Sequence, residues 1–87
     1  MSENIDGINE NRHEERHRKM GIKIAYYRKK KRLSQEELAE KTNVGRGHIS
    51  AIEASNMYRN VSLNTLYDIA DVLEVPITCL FDFEGNN

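Results

Sequence analysis

The sequence predicts an all-α domain of five short helices behind a flexible, charged N-terminal tail. Three observations carry this. Apolar residues between Leu63 and Leu73 recur at the spacing of one helix face. Ser34 and Ser62 each stand where a helix cap belongs, just ahead of such a run. Between Ser34 and Ala54, two short helical patterns are separated by a turn of about three residues around Asn43.

Length and composition bound the reading. Eighty-seven residues make one small domain. With 38 % hydrophobic and 31 % charged residues, a small soluble core is expected. No apolar run approaches the roughly 18 residues of a membrane span. No signal-peptide core is present either, so a cytoplasmic protein is expected. The lone Cys79 cannot form an internal disulfide and reads as a small, half-buried hydrophobe.

The net charge of −1 hides an asymmetry. Arg12 to Arg32 contains ten Lys or Arg and two acids, whereas residues 1–11 hold three acids and no base. From Leu33 onward nine acids face three bases. So concentrated a basic segment suits a polyanion, or else a solvated helix face.

In chain order, residues 1–17 have only Ile5 and Ile8 as large aliphatic groups and read as a tail, helical at most in its last turns. The domain spans 18–83, and 84–87 form a C-terminal tail. A first helix is expected from about Lys19 to Lys31, with Met20, Ile24 and Tyr27 on one face. Ser34 opens the second through a capping box with Glu37. It ends near Thr42, and Asn43 suits the left-handed turn that follows. Gly45 to Ala54 forms the third helix, with Ile49 and Ile52 facing inward. A polar loop, 55–61, leads to a fourth helix capped by Ser62, whose buried stripe is Leu63, Leu66, Ile69, Ala70 and Leu73. Pro76 fits the first turn of a last helix carrying Ile77, Leu80, Phe81 and Phe83.

His13-Glu14-Glu15-Arg16-His17 matches the zinc-protease pattern H-E-x-x-H. A zinc site needs a third ligand and a dry pocket. The only other histidine, His48, belongs to the third helix, and the pair lies in a charged tail. The match is read as accidental. No metal, no cofactor and no enzymatic activity are expected, and the stretch serves as a basic lead-in to the first helix.

The second and third helices, joined by a tight turn, have the layout of a helix-turn-helix, whose second helix enters the DNA major groove. "LSQEELAEKTNVGRGHISAIE" (Leu33 to Glu53) resembles the Xre family of phage repressor and Cro-like regulators. The resemblance runs from about Met20 to Phe81. It rests on Ser34-Gln35-x-x-Leu38-Ala39, Ile49-Ser50-x-Ile52-Glu53 and Leu66-x-x-Ile69-Ala70-x-x-Leu73. "RNVSL" also looks like the controller proteins of restriction–modification systems. The resemblance implies a compact, lambda-repressor-like five-helix domain that binds double-stranded DNA to regulate transcription.

It also implies roles. Arg46, Gly47, His48 and Ala51 take positions that read or flank base edges. Ser34, Gln35 and Ser50 take positions near phosphate, Gln35 also bracing the third helix. Asn56, Tyr58 and Arg59 are backbone candidates in the following loop. Arg28 pairs with Glu53. An arginine at the start of a recognition helix can make two hydrogen bonds to guanine, worth about 1–3 kcal/mol of discrimination. The chain departs from the family where Asn43 replaces a usual glycine, and where Ala54-Ser55-Asn56 replaces another. Gly47 falls inside the reading helix, where glycine costs about 1 kcal/mol relative to alanine. A homodimer through Phe81 and Phe83 on a two-fold operator is expected. The alternative is an antitoxin-like module that binds an unidentified protein partner, with DNA secondary.

Overall fold

The computed structural model describes residues 2–54 and 61–81, with side chains from His13 onward. Its elements are α1 (Ser2–Lys30), α2 (Gln35–Thr42), α3 (Arg46–Ala54), α4 (Leu63–Leu73) and a closing 3-10 helix (Ile77–Phe81).

The first helix starts earlier than expected. It begins at Ser2, not near Lys19, and the boundary expected at 17/18 falls inside it. Twenty-nine residues at 1.5 Å each give a rod of about 44 Å, close to the 45 Å long dimension of the molecule. The added turns bond along their own surface. Arg18 meets Glu15 at 2.6 Å, and Arg16 lies 3.1 Å from His13 Nδ1, both one turn apart. Pairs spaced three or four residues apart support a helix locally, without any core-facing stripe.

One apolar cluster joins all five elements. Ile24, Leu38, Ile49, Ile69 and Leu80 are fully buried, and each comes from a different element. Met20, Ala39, Ile52, Leu66, Ala70 and Leu73 complete the cluster. Each fully buried aliphatic side chain contributes roughly 1.5–3 kcal/mol by leaving water. Leu63, expected in the α4 stripe, is instead 56 % exposed. It occupies the first position of α4, where the helix overhangs the cluster. The last expected helix closes as 3-10, with the Cys79 amide donating to the Pro76 carbonyl at 2.9 Å. Leu80 turns inward and Phe81 stays 44 % exposed. Phe83 lies outside the described residues.

The helix ends are set locally. Ser34 Oγ accepts from the Glu37 amide at 3.0 Å, and Glu37 accepts from the Ser34 amide at 2.8 Å. Ser62 Oγ accepts from the Thr65 amide at 3.1 Å. Three helices stop by one device. Arg32, Asn43 and Glu74 each adopt a left-handed backbone, with φ of 63°, 59° and 61°. After each, the next amide reaches back five residues: Leu33 to Arg28, Val44 to Ala39 and Val75 to Ala70. That is the Schellman pattern, and its hydrophobic residue packs on the core in all three cases.

Candidate nucleic-acid interface

The interface is built from α2, the turn at Asn43 and α3. The left-handed Asn43 ends α2 within one residue, so α3 begins only three residues later. Gly45 stands just before α3, and its carbonyl accepts from the His48 and Ile49 amides at 3.0 and 3.1 Å.

One side of α3 is anchored. Ile49 and Ile52 are buried, and Glu53 meets the rest of the fold through three donors. Arg28 grips its carboxylate with both Nε, at 2.7 Å, and Nη2, at 2.9 Å. Gln35 Nε2 donates to the same carboxylate at 2.9 Å. The remaining Arg28 nitrogen, Nη1, donates to the Leu33 carbonyl at 2.7 Å. The two charged side chains keep only 10 % and 5 % of their exposure. The hydrogen bond to Glu53 holds the pKa of the Arg28 guanidinium above its ordinary value, so the guanidinium keeps its charge despite its burial. Glu53 therefore fastens α1, the first turn and α2 to the end of α3.

The opposite side of α3 is bare and smooth. Helical register puts Gly47, Ala51 and Ala54 away from Ile49 and Ile52, so its centre carries nothing longer than a methyl. Arg46, Gly47 and Ala54 are exposed, Ala51 is half-buried between them, and the half-buried His48 and Ser50 lie along the two edges. A β-carbon added at Gly45 or Gly47 would meet nothing within 4 Å, and neither glycine has a positive φ. The chain's own packing thus does not demand glycine at either position. Arg46 shares a shallow groove with Glu36, Glu40 and Asn43.

Ser34 stands at the start of α2, next to Gln35. Asn56, Tyr58 and Arg59 lie outside the described residues. His13 and His17 lie on one side of α1, lining a shallow pocket with Arg16 and Phe81. Among the described residues, no group of three or more His, Cys, Asp or Glu side chains is placed to hold a metal ion. No described helix is long and apolar enough to cross a membrane.

One positioning residue escapes sequence reasoning. Gly21, buried in the middle of α1, lies directly against the backbone of Ile52. A glycine flanked by core residues at Met20 and Ile24 is the available signal, since glycine inside a helix is costly unless something approaches it closely.

A family model described as helix-turn-helix matches residues 24–78. The chain belongs to the helix-turn-helix family. It is an Xre-like member of that family, which is one of regulators and not of enzymes. Over 63 residues it is 40 % identical to the HTH-type transcriptional regulator SinR of Bacillus subtilis (strain 168), covering 72 % of this chain and 56 % of that protein. The SinR of Bacillus licheniformis is 38 % identical over the same length. The chain thus spans about half the length of the curated relatives it matches. Among solved structures, the restriction-modification controller protein C.AhdI from Aeromonas hydrophila superposes with a TM-score of 0.69 at 32 % identity. That match covers 75 % of this helix-turn-helix chain and 96 % of C.AhdI.

Proposed function

We propose that this protein is a sequence-specific regulator of transcription, cytoplasmic, that lays α3 in the major groove of double-stranded DNA. The observation that carries the reading is the two-sidedness of α3: fixed through Ile49, Ile52 and Glu53, and bare at Gly47 and Ala51. A rigid helix with a smooth centre can sink deep into a groove about 12 Å wide. Arg46 then reads guanine, Ala51 meets a thymine methyl, and His48 bonds a base edge from the other side. Gly47 lets the backbone approach closely.

Phosphates are gripped by Ser34, Ser50, the second amide hydrogen of Gln35 and the loop residues Asn56, Tyr58 and Arg59. The basic residues of α1 add long-range attraction. Two copies meet through Phe81 and Phe83 and span a two-fold operator with half-sites about one helical turn apart. The names of SinR and C.AhdI, a transcriptional regulator and a controller protein, support regulation as the outcome.

The test is selection of bound sites from a random DNA pool. The expected result is a palindrome with a guanine in each half-site whose preference disappears with Arg46→Ala. Recovery of no enriched site, together with stable co-purification of a protein partner, favours the interaction-module reading instead.

A further inference from the structure

Gly21 marks the side of α1 that lies against α3. At 100° per residue, Arg16, Lys19, Lys23, Tyr26 and Lys30 fall about 140–220° round the helix from it. They follow one another at steps of three and four residues, so they form a single stripe. Arg16, Tyr26 and Lys30 are exposed, and Lys19 and Lys23 are half-buried. No acid occurs between Arg16 and Gln35, and the nearest before them, Glu15, is bound by Arg18 at 2.6 Å. Among the described residues, none of the four cations of the stripe forms a salt bridge. Lys30 Nζ stands 5.7 Å from the centre of the Tyr26 ring. The helix-turn-helix is poor in cations by comparison: from Gln35 to Ala54, Lys41 and Arg46 stand against four acids. Because α1 packs on the anchored side of α3, the stripe and the bare side of α3 look in opposite directions across the crossing.

We infer that this stripe grips a second stretch of duplex DNA by its phosphates, without reading sequence, so that one molecule bridges two segments. The inference rests on the proposed role of α3 only for the first segment. Ammonium and guanidinium groups only donate hydrogen bonds, and phosphate oxygens only accept them. From Arg16 to Lys30 the stripe runs about 21 Å along a straight helix. Over that length a duplex presents roughly a dozen negative charges, at one per 1.7 Å of its axis, so every cation finds an acceptor. Other occupants fit less well. A protein interface has an apolar centre and is depleted in lysine, whereas this stripe offers one tyrosine ring, with Ile22 at its margin. A single strand is held by bases stacked on successive aromatic side chains, and the stripe holds one.

The experiment combines the full chain, beads carrying a random-sequence duplex, and a second, fluorescent duplex in solution. Wild type is expected to retain the second duplex on the beads. Four phosphate contacts at a slope of about 0.9 each make that retention fall about a hundredfold between about 50 and 200 mM salt. Lys23→Glu should lower retention about tenfold, whereas Lys41→Glu, equal in charge but off the stripe, should keep most of it. The milder Lys23→Gln should reduce the salt slope by about 0.9. Circular dichroism verifies that each variant keeps its helix content. Retention by Lys23→Glu equal to that of wild type overturns the stripe, as does an equal loss in Lys41→Glu. Polyglutamate that competes as strongly as duplex, charge for charge, or a single strand held in preference to duplex, overturns DNA duplex as the occupant. Should α3 not bind DNA, bridging disappears, but the chain still binds one duplex in solution and Lys23→Glu still weakens that binding. Should the stripe alone fail, site selection succeeds and Lys23→Glu changes neither bridging nor binding.

Discussion

A β-carbon on Gly21 would overlap the carbonyl oxygen of Ile52 and stand 3.4 Å from the Cα of Glu53. Helix α1 therefore crosses α3 backbone to backbone, just ahead of the carboxylate that Arg28 holds. Alanine at position 21 gains about 1 kcal/mol of helix propensity. It must also force the two helices apart, and overpacking of this kind costs typically 1–3 kcal/mol, more where rigid backbone is the obstacle. Gly21→Ala should lower stability by about 2 kcal/mol net, or roughly 10 °C in melting temperature for a domain this size. Urea denaturation measures it, and an unchanged midpoint contradicts the crossing.

Gly47→Ala should do the reverse. Nothing lies near its added methyl, so the free protein gains up to about 1 kcal/mol from helix propensity. DNA affinity should fall, because the methyl stands on the face proposed to enter the groove. Melting curves and binding isotherms on one operator measure the two effects. Gain in stability with undiminished affinity removes Gly47 from the proposed interface.

The Arg28–Glu53 pair is nearly buried, so removal of one partner strands the other. Glu53→Ala or Arg28→Ala should each cost about 3 kcal/mol. Glu53→Ala also frees the end of α3 from both Arg28 and Gln35, so specificity should degrade along with stability. A double-mutant cycle gives the coupling, and a value near zero would show that the two side chains act separately.

His17 carries an acid sensitivity. Partial burial, reinforced by repulsion from His13, lowers its pKa below the ordinary 6.5. The native state thus prefers the neutral ring, while the unfolded chain takes up a proton more readily. Stability contributed here is complete above about pH 6.5 and falls as the pH drops toward the native pKa, below which the loss levels off. Glu15 and Glu74 are shifted down by their partners Arg18 and Lys31, from an ordinary 4.5, so their contributions are lost only at still lower pH. Urea midpoints between about pH 7.5 and 5.5 should decline for the wild type and stay flat for His17→Gln.

A non-glycine residue in the left-handed region costs about 1 kcal/mol or more. Arg32→Gly should relieve that at the end of α1, offset in part by the greater freedom of glycine in the unfolded chain. A gain of about 0.5 kcal/mol is expected, visible as a rise of a few degrees in melting temperature.

What the sequence discloses is whatever is decided within a few residues. Ser34 with Glu37, Ser62 ahead of its apolar run, and Asn43 at the tight turn act on their immediate neighbours, so their chemistry can be read in place. The inward faces of α2, α3 and most of α4 follow from spacing. Leu63 does not, because periodicity marks a face but not where the neighbouring helices end. Gly21 is hidden because its reason lies 31 positions further along, in the backbone of Ile52. The left-handed Arg32 and Glu74 carry side chains with no special tolerance for that conformation, whereas Asn43 does. The early turns of α1 are hard to read because they lack a core-facing apolar stripe, the strongest signal of a helix in a folded domain.

The three matching helix ends bear on how quickly the domain assembles. Each reversal is closed by a hydrogen bond spanning five residues and by one aliphatic side chain just beyond it. Chain direction is thereby steered by near neighbours before distant segments meet, and little loop entropy is spent in search. Helical proteins dominated by such short-range contacts reach the native state in microseconds to milliseconds. A freshly made copy would be ready for its target almost as soon as it is released.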